Sequence, residues 1–268
     1  MGSTALVTGA SSGIGAATAR VLAQRGFEVF GTSRRPEALP PEAPTGIHWL
    51  GMDVRDEASV GRAVAQLLDT GSGLDALVCN AGCGIFGSVE EVPLEAARAQ
   101  FETNFFGTLC TLRAALPHLR ARGSGRVVLV GSLAGRAPIP FQAHYSASKA
   151  AIEALALALR NELHPLGVRV SLVEPGDIRT AFNDAVDFGD PQASAYRDRI
   201  ARCQGVIEKT MSEAPGPEIV ANAIHRALTA RRPRVRYAVG PESRRVPLGR
   251  RLLPDALALR LIRAHFRV

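Results

Sequence analysis

The stretch that decides the fold is Thr8-Gly9-Ala10-Ser11-Ser12-Gly13-Ile14-Gly15, which follows the apolar run Ala5-Leu6-Val7 and precedes a helix-forming segment. Glycines permit a tight turn between strand and helix and let the backbone approach a bound pyrophosphate closely. The amino end of the following helix adds oriented N–H donors and a positive dipole end. The spacing is G-x-x-x-G-x-G, which differs from the common G-x-G-x-x-G fingerprint. A purely structural turn is the alternative, but the strand–turn–helix context favours a phosphate loop.

Short apolar runs alternate with helix-forming stretches along the chain. The runs predicted as strands are 5–8, 28–32, 48–53, 76–80, 126–132, 168–174 and 235–239, and the predicted helices are 13–25, 57–68, 95–122, 145–164 and 218–230. Several runs are continuously apolar, as in Val127-Val128-Leu129-Val130, which is typical of parallel strands covered on both faces. The pattern predicts an α/β fold: a Rossmann-like, doubly wound sheet of seven parallel strands with helices on both faces.

The composition excludes several classes of protein. The chain has 268 residues, of which 46% are hydrophobic and 21% charged, and this is ordinary for a globular protein. No apolar run approaches the roughly 18 residues of a membrane span, and the first residues show no signal-peptide pattern. The four cysteines lack the spacing of a metal site. We therefore expect reduced thiols, no metal and a cytoplasmic location.

The net charge of +7 is unevenly distributed. Residues 231–268 contain eleven arginines and two acidic residues, whereas the first 230 residues contain 21 basic and 23 acidic residues. Helical spacing in 255–267 places Arg260, Arg263 and Arg267 on one narrow face. Such a helix either packs on the body, closing a substrate cleft or lining a subunit contact, or lies on an anionic membrane. Nucleic acid is not expected as a partner, because no aromatic stacking set accompanies the charge.

The second predicted strand runs into Gly31-Thr32-Ser33-Arg34-Arg35 without an acidic residue. In NAD-selective sites an acidic side chain near this point binds the ribose 2′-hydroxyl. Ser33 and Arg34 instead suit a 2′-phosphate, since a guanidinium forms charge-assisted hydrogen bonds with that dianion. The sequence therefore favours NADP over NAD, with a solvated arginine in an arginine-rich chain as the alternative.

Tyr145 and Lys149 stand four residues apart at the start of a predicted helix, so they share one helix face. An ammonium beside a phenol favours the phenolate, which predicts a pKa for Tyr145 below about 10. A tyrosine tuned in this way exchanges a proton with an alcohol or a carbonyl near neutral pH. Such a pair alone is common, but Ser132 ends the fifth predicted strand, at the edge where doubly wound sheets bind ligands.

Taken together and in order, the motifs resemble those of the short-chain dehydrogenase/reductase family over residues 3–240. The matching motifs are the glycine loop 8–15, Asp53, Asn80-Ala81-Gly82, Asn104, Ser132, Tyr145, Lys149 and Pro175-Gly176. Two asparagines usually precede Ala-Gly in this family, and here the first is Cys79. The tail that follows Gly240-Pro241 is similar to that of the branch containing 17β-hydroxysteroid and retinol dehydrogenases.

The resemblance implies a catalytic tetrad of Asn104, Ser132, Tyr145 and Lys149. Tyr145 would be the general acid in carbonyl reduction or the base in alcohol oxidation, and Ser132 would polarise the substrate oxygen. Lys149 would tune Tyr145 and bind the nicotinamide ribose, and Asn104 would hold a water in a proton relay. The residues expected to bind the cofactor are Gly9, Ser11, Ser12, Gly13, Ile14, Gly15, Ser33, Arg34, Asp53, Val54, Asn80, Ala81, Gly82, Tyr145, Lys149, Pro175, Gly176, Ile178 and Thr180. Among them, Asp53 and Val54 would contact adenine, and Ile178 and Thr180 the nicotinamide carboxamide.

The expected function is that of an NADP-dependent oxidoreductase that moves a hydride between nicotinamide and a carbonyl or secondary alcohol, with NAD as the alternative cofactor. The resemblance favours an apolar small-molecule substrate, such as a steroid, a retinoid or a similar lipophilic ketone, and a homodimer through the helices 95–122 and 145–164. Residues 1–240 would form the catalytic domain, with 177–217 as a substrate lid, and 241–268 a basic extension. A nucleotide-sensing binding protein and a ketoacyl-thioester reductase are the alternative functions.

Overall fold

The computed structural model describes residues 2–180 and 195–268 and has a parallel β-sheet at its centre. Its strands are β1 Thr4–Val7, β2 Glu28–Ser33, β3 His48–Gly51, β4 Ala76–Cys79, β5 Gly125–Val130, β6 Val168–Pro175 and β7 Arg236–Val239. They lie in the order β3-β2-β1-β4-β5-β6-β7, and all neighbouring pairs are parallel. The predicted seven-stranded, doubly wound sheet is confirmed. Because the strand order reverses between β1 and β4, a crevice opens at the carboxyl ends of these strands.

Helices cover both faces of the sheet. In the described ranges they are α1 Gly13–Gln24, α2 Glu57–Asp69, α3 Leu94–Phe101, α4 Gly107–Ala121, α5 Ala143–Leu163, α6 Arg197–Glu213, α7 Glu218–Thr229, α8 Arg245–Leu252 and α9 Asp255–Phe266. Successive side chains of a strand point to opposite faces, so one apolar run fills two cores. Leu6 of β1 packs in a cluster with Leu112 of α4. Its neighbour Val7 packs on the other face with Leu22 of α1 and Ile224 of α7.

The helix expected over 95–122 is interrupted. Between α3 and α4 the five residues Glu102–Phe106 form a π-helical turn, and its one buried residue is Asn104. A π-helical turn inserts an extra residue into the helical register, which rotates the side chains that follow it. The sequence alone did not predict this break, because no proline or glycine precedes the turn.

The expected lid, 177–217, contains a helix that the sequence did not predict. The helix α6 presents only two buried residues, Ile200 and Cys203, and is otherwise polar, so its apolar stripe is weak. Ile200 and Cys203 pack with Phe86, which precedes α3 in the chain. Residues 181–194 of the expected lid lie outside the described residues.

The basic tail forms two helices beyond the last strand. The helix α9, predicted from the spacing of its arginines and leucines, is present, and it lies against α6. Arg202 of α6 donates a hydrogen bond of 2.9 Å to the carbonyl oxygen of Arg267 at the end of α9. Within the ranges the structure describes, every helix is too short or too polar to span a membrane.

Candidate active site

A cavity of about 1650 Å³ lies along the carboxyl ends of the strands, where the crevice was expected. Its wall includes all of the predicted site residues except two. The exceptions are Gly15, which lies inside α1, and Asn104, which is 2% exposed. The structure thus brings together residues that are as far apart in sequence as Gly9 and Thr180.

The glycine loop has the geometry of a phosphate cradle. Gly9 and Gly13 adopt positive φ angles of 63° and 54°, which disfavour any side chain. A Cβ on Gly15 would lie 2.1 Å from the carbonyl oxygen of Gly9, so only glycine permits this contact. The Ser12 side chain does not cap α1, and the first turn holds no acidic residue. The positive end of α1 is therefore left for an anionic ligand.

Asn80 holds the glycine loop in place. Its side-chain Nδ2 donates to the carbonyl oxygens of Thr8 and Gly9, at 3.0 and 3.2 Å. The Thr8 hydroxyl in turn accepts from the backbone N–H groups of Asn80 and Ala81, both at 2.9 Å. Both amide hydrogens of Asn80 are thus used inside the protein, so its main contribution is to shape the loop.

Basic side chains surround the end of the cavity beside β2 and β3. Arg34 lines it, is exposed, and has no acidic side chain within ion-pair distance among the residues described. Arg55 also lines it, and the sequence did not single it out. Arg55 pairs with Asp53 at 2.6 Å, and its hydrogen bonds hold the pKa of the Asp53 carboxyl below its usual value. Arg34 and its exposed neighbour Arg35, which also lines the cavity, have no ion-pair partner among the described residues and are therefore available to an anionic group.

Tyr145 and Lys149 lie on the first turns of α5, beside the end of β5. The Lys149 Nζ donates to the carbonyl oxygen of Val130 at 3.0 Å and lies 5.7 Å from the centroid of the Tyr145 ring. The Ser132 hydroxyl accepts from the N–H of Ala134 at 3.1 Å and donates to the carbonyl oxygen of Pro175 at 3.4 Å. These contacts fix Ser132 at the edge of the cavity, between β5 and β6.

The expected lowering of the Tyr145 pKa is wrong for this structure. Burial raises the pKa of Tyr145 to about 12, and a hydrogen bond with Ser132 only opposes the rise. Lys149 stands over the ring face, and burial lowers the pKa of its own ammonium to about 8. Tyr145 is therefore protonated at neutral pH, which is the form that a general acid requires.

Three hydrogen bonds fix the side chain of Asn104, which lies in the π-helical turn. Its Nδ2 donates to the carbonyl oxygen of Cys83 and to the Ser148 hydroxyl, each at 3.0 Å, and its Oδ1 accepts from the N–H of Cys83 at 2.8 Å. A Cβ on Gly82 would lie 3.1 Å from Asn104 Oδ1 and 3.7 Å from Lys149 Nζ. Because Gly82 has no side chain, the amide of Asn104 and the ammonium of Lys149 can lie close together.

The sequence did not single out Gln100. It is fully buried, lines the cavity, and donates through Nε2 to the same Cys83 carbonyl oxygen at 3.2 Å. Its Oε1 has no hydrogen-bond partner in the described structure. In the sequence, the only indication that Gln100 belongs to the site was its position four residues before Asn104, which predicts the same helix face.

The tail closes the side of the cavity opposite the strands. The cavity-lining residues of α8 and α9 include Val246, Ile262 and Phe266, and Ile207 and Met211 of α6 line it too. Most of the lining residues from these three helices are apolar, and the polar ones are Thr210, Arg245, Arg250 and His265. Of the alternatives for the tail, packing over the cleft is what the structure shows.

A strand–glycine loop–helix, a Tyr–Lys pair and a serine at one sheet edge define a Rossmann-type oxidoreductase site. A sequence model described as short chain dehydrogenase matches residues 3–189. The chain belongs to the short-chain dehydrogenase/reductase family.

Individual relatives cover nearly the whole chain. The 3-ketodihydrosphingosine reductase of Bacteroides thetaiotaomicron is 37% identical over 238 residues, which are 88% of this chain and 87% of that protein. The estradiol 17-beta-dehydrogenase 1 of Rattus norvegicus is 38% identical over 267 residues, 93% of this chain and 76% of that protein. A short chain dehydrogenase from Burkholderia cenocepacia, solved in complex with NADP, superposes with a TM-score of 0.78 at 29% identity and covers 97% of both chains.

Proposed function

We propose that this protein is an NADP-dependent oxidoreductase that transfers a hydride between nicotinamide and a carbonyl or secondary alcohol of an apolar substrate. The observation that carries the proposal is the placement of Ser132, Tyr145 and Lys149 at one edge of a cavity whose far end holds Arg34, which has no ion-pair partner among the described residues. The related structure in complex with NADP supports this choice of cofactor. NAD is the alternative cofactor.

The residues present suit a dinucleotide. The amino end of α1 and the glycine loop would hold the pyrophosphate, and Arg34 with Ser33 the 2′-phosphate. Val54 and Asp53 would border the adenine. Pro175, Gly176, Ile178 and Thr180 would border the nicotinamide, because they follow β6 beside Ser132.

Catalysis then depends on proton transfer at Tyr145. Nicotinamide, when bound, supplies or accepts the hydride. In reduction, the Tyr145 hydroxyl gives its proton to the carbonyl oxygen as the hydride adds to the carbonyl carbon, and an alcohol results. The Ser132 hydroxyl would turn its hydrogen from the Pro175 carbonyl oxygen, 3.4 Å away, to the same substrate oxygen, where it stabilises the developing negative charge. Lys149 supplies a positive charge beside the phenolate that remains, and Asn104 belongs to the path that returns a proton to it.

The apolar wall formed by α6, α8 and α9 supports a lipophilic ketone or alcohol as substrate. Two relatives agree with this choice, since one is a 3-ketodihydrosphingosine reductase and another an estradiol dehydrogenase. The proposal further includes a cytoplasmic homodimer that pairs through 95–122 and 145–164, and a peripheral membrane contact through 255–267. Residues 1–240 would form the catalytic domain and 241–268 an extension that covers the cleft.

A substrate panel tests the proposal. Steroids, retinoids, long-chain ketones, acyl thioesters and small carbonyls are offered with NADPH, and the matching alcohols with NADP. Tyr145→Phe should abolish turnover of any substrate found, while the variant still binds NADPH, as followed by nicotinamide fluorescence. The matched control is Tyr237→Phe on β7, outside the cavity wall. Turnover by Tyr145→Phe equal to the wild type would refute the mechanism, and NADPH binding without turnover of any compound would favour a nucleotide-sensing protein.

A further inference from the structure

The two tail helices have an outer face that the cleft does not use. We call α8 and α9 together the cap, residues 245–266. Of the eleven large apolar side chains that are exposed in the described structure, five belong to the cap: Leu248, Leu252, Leu257 and Leu259, together with Leu261, which also lines the cavity. Leu248 and Leu252 are 58% and 66% exposed and stand four residues apart, on one face of α8. Single exposed leucines are ordinary, but five within so short a stretch mark a contact surface.

Arginines stand among these leucines without acidic partners. Arg250 pairs with Asp255 at 2.7 Å, and this is the one ion pair of the cap in the described structure. Within those same ranges, no acidic side chain lies within ion-pair distance of the remaining tail arginines, which are Arg244, Arg245, Arg251, Arg260, Arg263 and Arg267. All six are exposed. The cap thus presents a positive charge with nothing in the described protein to neutralise it.

We propose that the outer face of the cap docks on an anionic lipid bilayer. Leucines of an interfacial helix enter the boundary between headgroups and acyl chains, while arginines bind the headgroup phosphates. Both kinds of side chain are present on this face, and the negative surface of the bilayer matches its charge. A nucleic acid would use the arginines alone, since leucines contribute nothing to a phosphate backbone.

Docking has a consequence for the substrate, and this step rests on the proposed function. The inner face of the cap lines the cavity through Val246, Ile262 and Phe266, and Leu261 is both exposed and part of the cavity wall. The mouth of the cavity would therefore lie at the lipid boundary. A lipophilic ketone would pass from the bilayer to Tyr145 without crossing water.

Vesicle co-sedimentation of the full chain tests the docking itself. The protein should bind vesicles of phosphatidylcholine that contain about one quarter phosphatidylglycerol. It should bind vesicles of phosphatidylcholine alone much more weakly. High salt should release it, because surface charges are then screened. The triple variant Arg251→Glu, Arg260→Glu, Arg263→Glu should bind at least tenfold more weakly, since each arginine contributes separately. None of these three residues lines the cavity.

The matched control carries the same change of charge elsewhere: Arg20→Glu, Arg62→Glu, Arg232→Glu, all at exposed positions. It should bind anionic vesicles like the wild type. A second variant, Leu248→Ser with Leu252→Ser, should also weaken binding, because it removes the apolar anchors and leaves the charge unchanged. Three results would overturn the proposal. The first is equal binding to neutral and anionic vesicles, and the second is a loss of vesicle binding in the control as large as in the cap variant. The third is binding to a DNA duplex as tight as binding to anionic vesicles.

Turnover measurements distinguish a failure of membrane docking from a failure of the proposed function. Cap variants should reduce a water-soluble carbonyl at the wild-type rate and lose the advantage that anionic vesicles give to a vesicle-borne long-chain ketone. If no carbonyl is reduced at all, the proposed function fails while vesicle binding still stands or falls by itself. Equal turnover of the vesicle-borne ketone in neutral and anionic vesicles would contradict substrate entry from the bilayer.

Discussion

Arg136 donates two hydrogen bonds to Glu174, at 2.6 and 2.8 Å, and thereby ties the segment that follows Ser132 to the end of β6. Glu174 is 1% exposed and also accepts from Arg236 at 2.9 Å. The next residue, Pro175, holds the Ser132 hydroxyl through its carbonyl oxygen. The buried Glu174 carboxylate, held by two guanidinium groups, therefore fixes the position of Pro175 and, through it, that of Ser132, the serine that we propose polarises the substrate oxygen.

Glu174→Gln should destabilise the protein and slow turnover. Loss of one partner of a buried ion pair typically costs about 3–5 kcal/mol, and here Arg136 and Arg236 would keep only Glu153 as a carboxylate partner among the described residues. We expect a loss of this order in the free energy of unfolding, measured by urea denaturation, and a lower kcat with little change in KM. Glu153→Gln is the control, because Glu153 binds the same two arginines from a more exposed position and should cost about 1 kcal/mol or less. Equal costs for the two variants would contradict the positioning role.

The parts of the site that the sequence predicted are those carried by local patterns. The glycine loop, the Tyr145–Lys149 spacing and the alternation of strands and helices each depend on residues close together in the chain. The Arg136–Glu174 pair and the contact of Gln100 with Cys83 depend on packing between distant segments, and no spacing reveals them. The pKa of Tyr145 was predicted in the wrong direction because burial, which the sequence does not show, raises it by more than the hydrogen bond with Ser132 lowers it.

Arg34→Asp should change the cofactor preference from NADPH to NADH. Loss of charge-assisted hydrogen bonds to a 2′-phosphate typically costs about 1.5–3 kcal/mol, so NADPH should bind roughly 10- to 100-fold more weakly. NADH, which lacks this phosphate, should bind as well as before or better, because an acidic residue here suits a ribose 2′-hydroxyl. Fluorescence titration with both cofactors measures the change. The control Arg62→Asp, on the exposed side of α2, should alter the affinity for neither NADPH nor NADH. A wild-type protein that binds NADH more tightly than NADPH would refute the role of Arg34.

Carbonyl reduction should slow above about pH 8. Burial lowers the pKa of Lys149 to about 8, whereas that of Tyr145 is raised to about 12. Between these values Tyr145 keeps its proton, but Lys149 loses its charge, and the phenol becomes a weaker acid without a cation beside it. The profile of kcat/KM against pH, which reports the free enzyme, should therefore be flat to about pH 8 and then fall. A profile that stays flat to pH 10 would exclude Lys149 as the controlling group.

Asp177 should make the protein less stable as the pH rises from 4 to 7. Burial, together with the nearby Glu242, raises the pKa of Asp177 to about 6 from its usual 3.8. The folded state thus retains a proton that the unfolded state releases, so stability falls between these pH values by at most about 3 kcal/mol. Asp177→Asn should remove this fall, and its gain over the wild type should be larger at pH 7 than at pH 4. Urea denaturation at both pH values measures it, with the exposed Asp69→Asn as a control that shows no such difference.

Gly82→Ala should separate catalysis from stability. Gly82 does not adopt a positive φ angle, so alanine is compatible with its backbone. The added Cβ would nevertheless lie 3.1 Å from Asn104 Oδ1, so the amide, which lies close to Lys149, must shift by a few tenths of an ångström to make room. We expect kcat to fall about tenfold, as small displacements in an active site commonly cost that much or more, with a change in the free energy of unfolding of only about 1 kcal/mol. Gly61→Ala on α2 meets nothing within 4 Å and should instead stabilise the protein by up to about 1 kcal/mol at full activity. Unchanged kcat in Gly82→Ala would show that the closeness of Asn104 and Lys149 has no part in the reaction.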